Sequence, residues 1–174
     1  MVVFTSDHGE MMGERGMWFK QCFWEWSARV PLVISDRRTT QATSIQSNCS
    51  LVDLLPTFVA LAGGGEGPLA PIISEMAGHS LVPLLSGETD QWSDCVIADY
   101  LAIGPCVPCR MVKKGTFKYI FTYGRPDLLF DLGADPNELV NLAEDATHLP
   151  VLRELKGICM SCLLYTSDAA DEGL

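Results

Sequence analysis

Along this chain the apolar positions fall into short blocks, each with its own period. Val2-Val3-Phe4 is a continuous apolar run, the pattern of a fully buried strand, and Val30 to Ile34, entered from Arg29 and broken by Pro31, is a second. A loop rich in glycine and aromatic residues lies between them. Asp36 to Ser50 is polar and turn-like, whereas Leu51 to Leu61 carries apolar residues at helical spacing and stops at Gly63-Gly64-Gly65, which predicts a helix covering a sheet. Gly78 to Gly87 reads as a loop with one helical turn at Leu81 to Leu85. From Cys95 the texture changes to extended runs, Cys95 to Tyr100, Arg110 to Lys113, Phe117 to Thr122 and Leu128 to Asp131, separated by turn residues. They predict a small antiparallel sheet. Asp135-Pro136-Asn137 makes a turn, and Glu138 to Ala143 followed by Leu149 to Ile158 predicts one or two helices. No internal repeat stands out.

Composition and charge narrow the function classes. The chain has 174 residues, 48% hydrophobic and 20% charged, enough for a moderate core. Its formal net charge is -10, with acidic residues spread along the chain, so neither a nucleic acid nor an anionic membrane surface is an expected partner. No run approaches the roughly 18 apolar residues of a membrane helix. Seven cysteines include two Cys-x-x-Cys pairs, Cys106 with Cys109 and Cys159 with Cys162. The pairs lie much further apart than the roughly 15–20 residues of a zinc ribbon, so free thiols packed as small apolar residues are the expectation.

The opening run empties into Thr5-Ser6-Asp7-His8-Gly9, followed by Gly13, Gly16 and Lys20. Asp7 offers hard carboxylate oxygens and His8 an imidazole nitrogen, a mixture that suits a divalent cation held by further oxygens. At the carboxyl end of a parallel strand the pair would sit where open α/β sheets bind their ligands. Lys20 returns as a compact cation apt for the oxygens of a sulfate or phosphate ester. Taken alone, Asp-His is more often a turn with a capping aspartate. Two ligands cannot hold a metal, so a pair at residues 7 and 8 raises the expectation of sequence preceding Met1 that supplies the others.

The whole string changes that balance. Ser6-Asp7-His8-Gly9-Glu10 through Lys20, with Ser27-Ala28-Arg29-Val30-Pro31-Leu32, resembles the sulfatases of the alkaline-phosphatase superfamily, and among them is most similar to choline sulfatases. The likeness continues in Asp53-Leu54-Leu55-Pro56-Thr57, in Gly78-His79-Ser80-Leu81, in Lys118-Tyr119-Ile120 and in Leu129-Phe130-Asp131-Leu132 with Asp135-Pro136, Glu138 and Asn141-Leu142. The resemblance implies an α/β fold: the C-terminal part of an alkaline-phosphatase-like sulfatase fold, with a small antiparallel sheet plus helix subdomain. Residues 1–90 would be part of the catalytic domain and 91–161 the subdomain. Residues 162–174 break the helical periodicity and resemble a translated sequencing adapter, so they are set apart from fold reasoning. The resemblance further implies hydrolysis of a small sulfate ester, Asp7 and His8 as ligands of a divalent cation (calcium first, magnesium or manganese as alternatives) and Lys20 as a sulfate contact.

In that family the nucleophile is a cysteine in Cys-x-Pro-x-Arg, oxidised to formylglycine. Cys106-Val107-Pro108-Cys109-Arg110 has that spacing, but it follows the Asp-His segment and runs into a strand, so coincidence is the reading and the formylglycine is expected before Met1. Glu10, Glu14 and Arg15 read as a solvated turn, Arg29 as structural, and Asp135, Glu138 and Asn141 as turn and capping residues. His79 reads as a loop-capping residue and His148 as exposed linker. Trp18, Phe19, Phe23, Trp24 and Trp26 would suit a quaternary ammonium, though packing against the core accounts for most of them. The rivals are a phosphodiesterase or phosphonate monoester hydrolase of the same superfamily, and an inactive fragment that aggregates through its uncovered first strand. The free cysteines lean toward the cytoplasm, and oligomerisation of a full-length protein stays open.

Overall fold

The computed structural model describes residues 1–36, 42–63, 71–72, 75–101 and 107–171, the last ten of these by backbone alone. The chain packs as two units, Met1–Ala42 together with Ile97–Leu174, and Thr43–Val96. The first unit thus joins the opening of the chain to its C-terminal sheet.

That unit begins with β1 (Val2–Thr5), a hairpin of β2 (Met11–Met12) and β3 (Trp18–Phe19), the single-turn helix α1 (Glu25–Ala28), and β4 (Leu32–Ser35). β1 pairs with β4 antiparallel, Val2 opposite Ser35 and Phe4 opposite Val33. Two sequence expectations are corrected here. Among the described residues β1 has no parallel neighbour, because the connection to β4 folds into a hairpin and one helical turn in place of a crossover helix. Nor is Val2 to Phe4 fully buried: Val2 is 68% and Phe4 64% exposed, and with Val33 they form an apolar face open to solvent, the uncovered first strand that the fragment reading expects.

In the second unit a 3-10 turn, Leu51–Asp53, leads into α2 (Leu54–Leu61), and α3 (Val82–Leu85) follows the loop at 78–81. Buried Asp53 holds this unit together: its carboxylate accepts from Ser50 N at 2.7 Å and His79 N at 2.8 Å. Thr57 Oγ1 donates to the Asp53 carbonyl at 2.5 Å and accepts from Leu81 N at 2.8 Å. Gly78 passes so near this helix start that a Cβ there would lie 2.2 Å from Val52 O. His79 thus serves the loop through its backbone, with its ring edge-on to Trp92.

The C-terminal part returns to the first unit. β5 (Cys95–Tyr100), β6 (Cys109–Lys114), β7 (Phe117–Thr122) and β8 (Leu128–Asp131) form one sheet in that order, with β6–β7 and β7–β8 antiparallel. After a 3-10 turn at Ala146–His148, capped by the Asp145 carboxylate on Thr147 N at 2.8 Å, α4 runs from Leu149 to Asp171. It continues well beyond Ile158, where the apolar periodicity ends. No helix among the described residues is long and apolar enough to cross a membrane. His148 is no bare linker residue: Nδ1 lies 3.0 Å from Asp145 Oδ2 and the ring packs near Phe117.

The sheet is buried on both faces. Val112, Tyr119 and Leu129 share one face by register, and α4 covers it with Leu155 and Cys159. Lys113, Lys118 and Phe130 lie in register on the other face. There Trp24 meets Phe130 edge to face at 5.4 Å, and Lys118, fully buried, receives the chain around α1. Its ammonium reaches Glu25 Oε1 at 2.6 Å, Glu138 Oε1 at 2.8 Å and Phe23 O at 2.8 Å, which uses all three donors.

Of the one or two helices expected after the Asp135 turn, only that from Leu149 forms, and Glu138 to Ala143 is not helical. Asp135 Oδ2 takes the Val140 N–H at 2.8 Å, and Asn141 Oδ1 takes those of Leu129 at 2.9 Å and Ala143 at 3.1 Å. Side chains thus capture the N–H groups a helix would need. Glu138 itself sits at φ 56° and is 2% exposed; it is a buried ion-pair partner whose second oxygen accepts the Glu25 N–H at the start of α1.

Lys118→Met leaves two carboxylates without their cation, so it is expected to destabilise the chain by about 3–5 kcal/mol in urea denaturation. Acid should act on the same centre. Burial pushes the Glu25 carboxyl up, but Lys118 above all, with Lys113 and Arg29, holds it below its ordinary value of 4.5. A depressed carboxyl stabilises the fold above its unfolded value and stops doing so as pH falls through the folded one. Stability should therefore drop on acidification below pH 4.5, and less steeply in Glu25→Gln.

Candidate functional site

The loop after β1 brings the three sequence-predicted site residues together. Lys20 Nζ lies 2.7 Å from His8 Nε2, and Asp7 Oδ2 lies 3.4 Å from the same nitrogen. His8 Nδ1 is 2.6 Å from Gly9 O. A carbonyl only accepts, so Nδ1 carries the proton and Nε2 presents its lone pair, which Lys20 engages. Asp7 Oδ1 accepts from His8 N at 3.0 Å, and Oδ2 faces solvent beside the imidazole. Desolvation pushes the Asp7 carboxyl up, but His8, the N–H groups of Asp7 and His8, and Lys20 together leave it below the ordinary range. Asp7 is an exposed carboxylate.

Backbone hydrogen bonds to α1 fix this geometry. Gly9 N donates to Ser27 O at 2.8 Å and Glu10 N to Trp26 O at 2.7 Å. The approach is so close that a Cβ on Gly9 would lie 2.0 Å from Trp26 O, which no side chain could survive without moving the loop. From the other side, buried Ser27 donates through Oγ to Lys20 O at 2.5 Å. One residue of α1 therefore holds both ends of the loop that carries His8 and Lys20.

Arg15 is exposed on its turn, as expected, yet its side chain is engaged. Its guanidinium stacks on Trp24 at 3.8 Å, and Nη2 donates to Asn137 O at 3.0 Å and to Glu138 O. The aromatic cluster also divides. Phe23 and Trp24 pack, but Trp18, Phe19 and Trp26 are 63%, 67% and 57% exposed, so packing against the core does not account for these three. Trp18 and Phe19 form β3 just before Lys20, and Trp26 precedes Ser27 in α1. Lys118, Glu25, Glu138 and Ser27 were not legible as site-building residues. The one signal was a lysine inside the apolar string Phe117-Lys118-Tyr119-Ile120.

Asp7 and His8 suit a divalent cation as two adjacent donors, one hard oxygen and one bare imidazole nitrogen. Among the described residues no group of three or more His, Cys, Asp and Glu side chains is placed to hold a metal ion. Of the Cys-x-x-Cys pairs, Cys106 and the side chain of Cys162 lie outside the described residues, while Cys109 stands in β6. Burial, followed by Asp99, pushes the Cys109 thiol up, the opposite of an activated nucleophile. Arg110 is engaged in a bidentate pair with Asp99, at 2.5 and 2.8 Å, and with Cys159 O at 3.0 Å.

The opening segment and the C-terminal sheet closed by a helix superpose together on sulfatase structures. Residues 13–161 match the family of N-sulphoglucosamine sulphohydrolase C-terminal domains, and the chain belongs to that family of sulfatases. It is 39% identical over 145 residues to the choline-sulfatase of Rhizobium meliloti (strain 1021), a match covering 83% of this chain and 27% of that protein. Among solved structures, a 2-O GAG sulfatase is 28% identical and superposes with a TM-score of 0.78, covering 98% of this chain and 37% of that one. The phosphonate monoester hydrolase of Agrobacterium radiobacter is 27% identical with a TM-score of 0.64, covering 91% of this chain and 34% of that one. The chain thus spans well under half the length of the proteins it matches.

Gly9→Ala is expected to cost about 1–3 kcal/mol through overpacking, read by urea denaturation, because the obstacle is backbone that cannot rotate away.

Proposed function

We propose that this chain forms one side of the active site of a hydrolase acting on small sulfate esters. The observation that carries the reading is the contact of Lys20 Nζ with His8 Nε2 at 2.7 Å, beside the Asp7 carboxylate, in a chain of the sulfatase family. Asp7 Oδ2 and His8 Nε2 would be two ligands of a divalent cation. Calcium is the first choice, with magnesium or manganese as alternatives. Such a cation, when bound, would polarise the ester and offset its charge. The Nε2 lone pair serves either Lys20 or a metal, so loading the metal would free the Lys20 ammonium to turn to a sulfate oxygen. Lys20 would then neutralise charge on the ester as a compact donor.

The remaining metal ligands and the formylglycine nucleophile would lie outside these 174 residues, and the isolated chain would not turn over. Among sulfate esters choline sulfate fits best, because the exposed rings of Trp18, Phe19 and Trp26 offer faces to a quaternary ammonium. The likeness to a phosphonate monoester hydrolase supports a second reading, in which the same side chains serve a phosphonate or phosphate ester.

The test is a chimera in which this chain replaces the matched part of the Rhizobium meliloti choline-sulfatase. The chimera is expected to hydrolyse choline sulfate faster than aryl phosphonates and to carry stoichiometric metal by elemental analysis. Asp7→Ala should abolish both, and Lys20→Met should lower kcat/KM about 10²–10³-fold with metal retained. Unchanged metal content in Asp7→Ala sinks the ligand assignment; faster turnover of phosphonate esters selects the second reading.

A further inference from the structure

We propose that the buried cluster of Lys118, Glu25 and Glu138 is the positioning centre of the candidate site, acting on His8 and Lys20 through Ser27 although it touches neither. This deepens the proposed function and rests on it for the meaning of the site, but the physical linkage can be read without any turnover.

A direct contact makes each step of the path. Lys118 Nζ binds Phe23 O and the carboxylates of Glu25 and Glu138, at 2.6 to 2.8 Å. Glu138 uses its second oxygen to accept the Glu25 N–H at 2.8 Å, in the first turn of α1. The entry of α1 is thereby pinned twice, by the Glu25 side chain on the Lys118 ammonium and by the Glu25 N–H on the Glu138 carboxylate. The turn then closes on itself, with Ser27 N and Ala28 N both donating to Trp24 O, at 2.9 and 2.8 Å. The far end of that turn is Ser27, which holds Lys20 O through its hydroxyl and Gly9 N through its carbonyl. Gly9 O in turn receives the Nδ1 proton that leaves His8 Nε2 bare. A helix of four residues has no stability of its own. Its place is set by what grips its ends, and here those grips are the ion cluster and the site loop.

A second link runs in parallel. Arg15, in the loop between His8 and Lys20, donates to Asn137 O and Glu138 O, the backbone of the residue whose carboxylate faces Lys118. The cluster therefore meets the loop from two sides. The charge arrangement also favours a fixed geometry over a merely filled core. Lys113 and Lys118 stand directly opposite in the β6–β7 ladder, a like-charge pair that would push apart. Glu25 is inserted between them, Oε1 on Lys118 and Oε2 3.7 Å from Lys113. No apolar side chain could replace this bridge without restoring the repulsion.

The experiment reads the His8 imidazole by long-range ¹H–¹⁵N spectra of the labelled 174-residue chain, with the imidazoles of His79 and His148 as internal references. The wild type is expected to show His8 protonated at Nδ1 and bare at Nε2. Ser27→Ala, which cuts the path while leaving the ions intact, and Glu138→Gln, which weakens the cluster, should both lose that signature and average the two tautomers. His79, His148 and the amide signals of β6 to β8 should stay in place. Ser27→Thr, which keeps the hydroxyl, should restore the wild-type His8 spectrum. A role in stability alone would lower the unfolding midpoint of Glu138→Gln and leave His8 unmoved. An unmoved His8 in Ser27→Ala, or in folded Glu138→Gln, overturns the proposal. Should Glu138→Gln fail to fold, Glu25→Gln makes the same reading at the neighbouring carboxylate, and an unmoved His8 there overturns it equally. Dependence of His8 on Ser27 and Glu138 in a chain whose chimera binds no metal would instead sink the functional reading and leave the positioning intact.

Discussion

An ammonium group without water must find three acceptors and an opposite charge, and Lys118 finds both in one place. Stripping Lys118 and Glu138 of solvent costs several kcal/mol per ion unless every donor and acceptor is met. The cost is offset because each partner is itself fixed: Phe23 O by the chain entering α1, Glu25 by α1, and Glu138 by the turn after β8. The demand for complete satisfaction therefore dictates where three remote segments meet. The C-terminal sheet is in this way a structural floor under the opening loop, and the two belong to one compact unit.

The local parts of this design were legible because their signals are local. Turn residues bracket each of the four extended runs from Cys95 to Asp131, and the sheet forms with the order they imply. Asp7, His8 and Lys20 lie within one loop, so their proximity needs no distant partner. Glu138 to Ala143 misled for a physical reason: its composition suits a helix, but Asp135 and Asn141 outbid the helix for its N–H groups, and an Asn side chain paired to a distant strand cannot be read from spacing. Lys118 was illegible for a similar reason. Alternation assigns a lysine between aromatic residues to a wet face, and only the register shows that both faces of β7 are covered. Arg15, read as solvated, is held by carbonyls more than a hundred residues away.

Buried polar contacts here carry geometric information that apolar packing would not. Phe130 and Trp24 attract over a range of offsets, whereas the ammonium of Lys118 and the carboxylate of Glu138 allow only one arrangement of α1. That restriction passes to Ser27, whose hydroxyl and carbonyl face opposite ends of the site loop. The absence of a Cβ at Gly9 completes the constraint, since α1 and the loop share a space that admits backbone alone.

The same economy explains why one fold serves esters of different central atoms. A sulfate monoester, a phosphonate monoester and a phosphate diester all present a tetrahedral centre with a single negative charge. Lys20 on a flexible stem is a point charge without the planar fork that would impose a preferred geometry. A carboxylate and an imidazole bind a divalent cation with little regard to which of these anions follows it. On the proposed function, neither half of the arrangement at Asp7, His8 and Lys20 would discriminate sulfur from phosphorus. On the proposed function selectivity would then come from groups that touch the organic half of the ester, and the exposed rings of Trp18, Phe19 and Trp26 are available for that without any change to the scaffold beneath them.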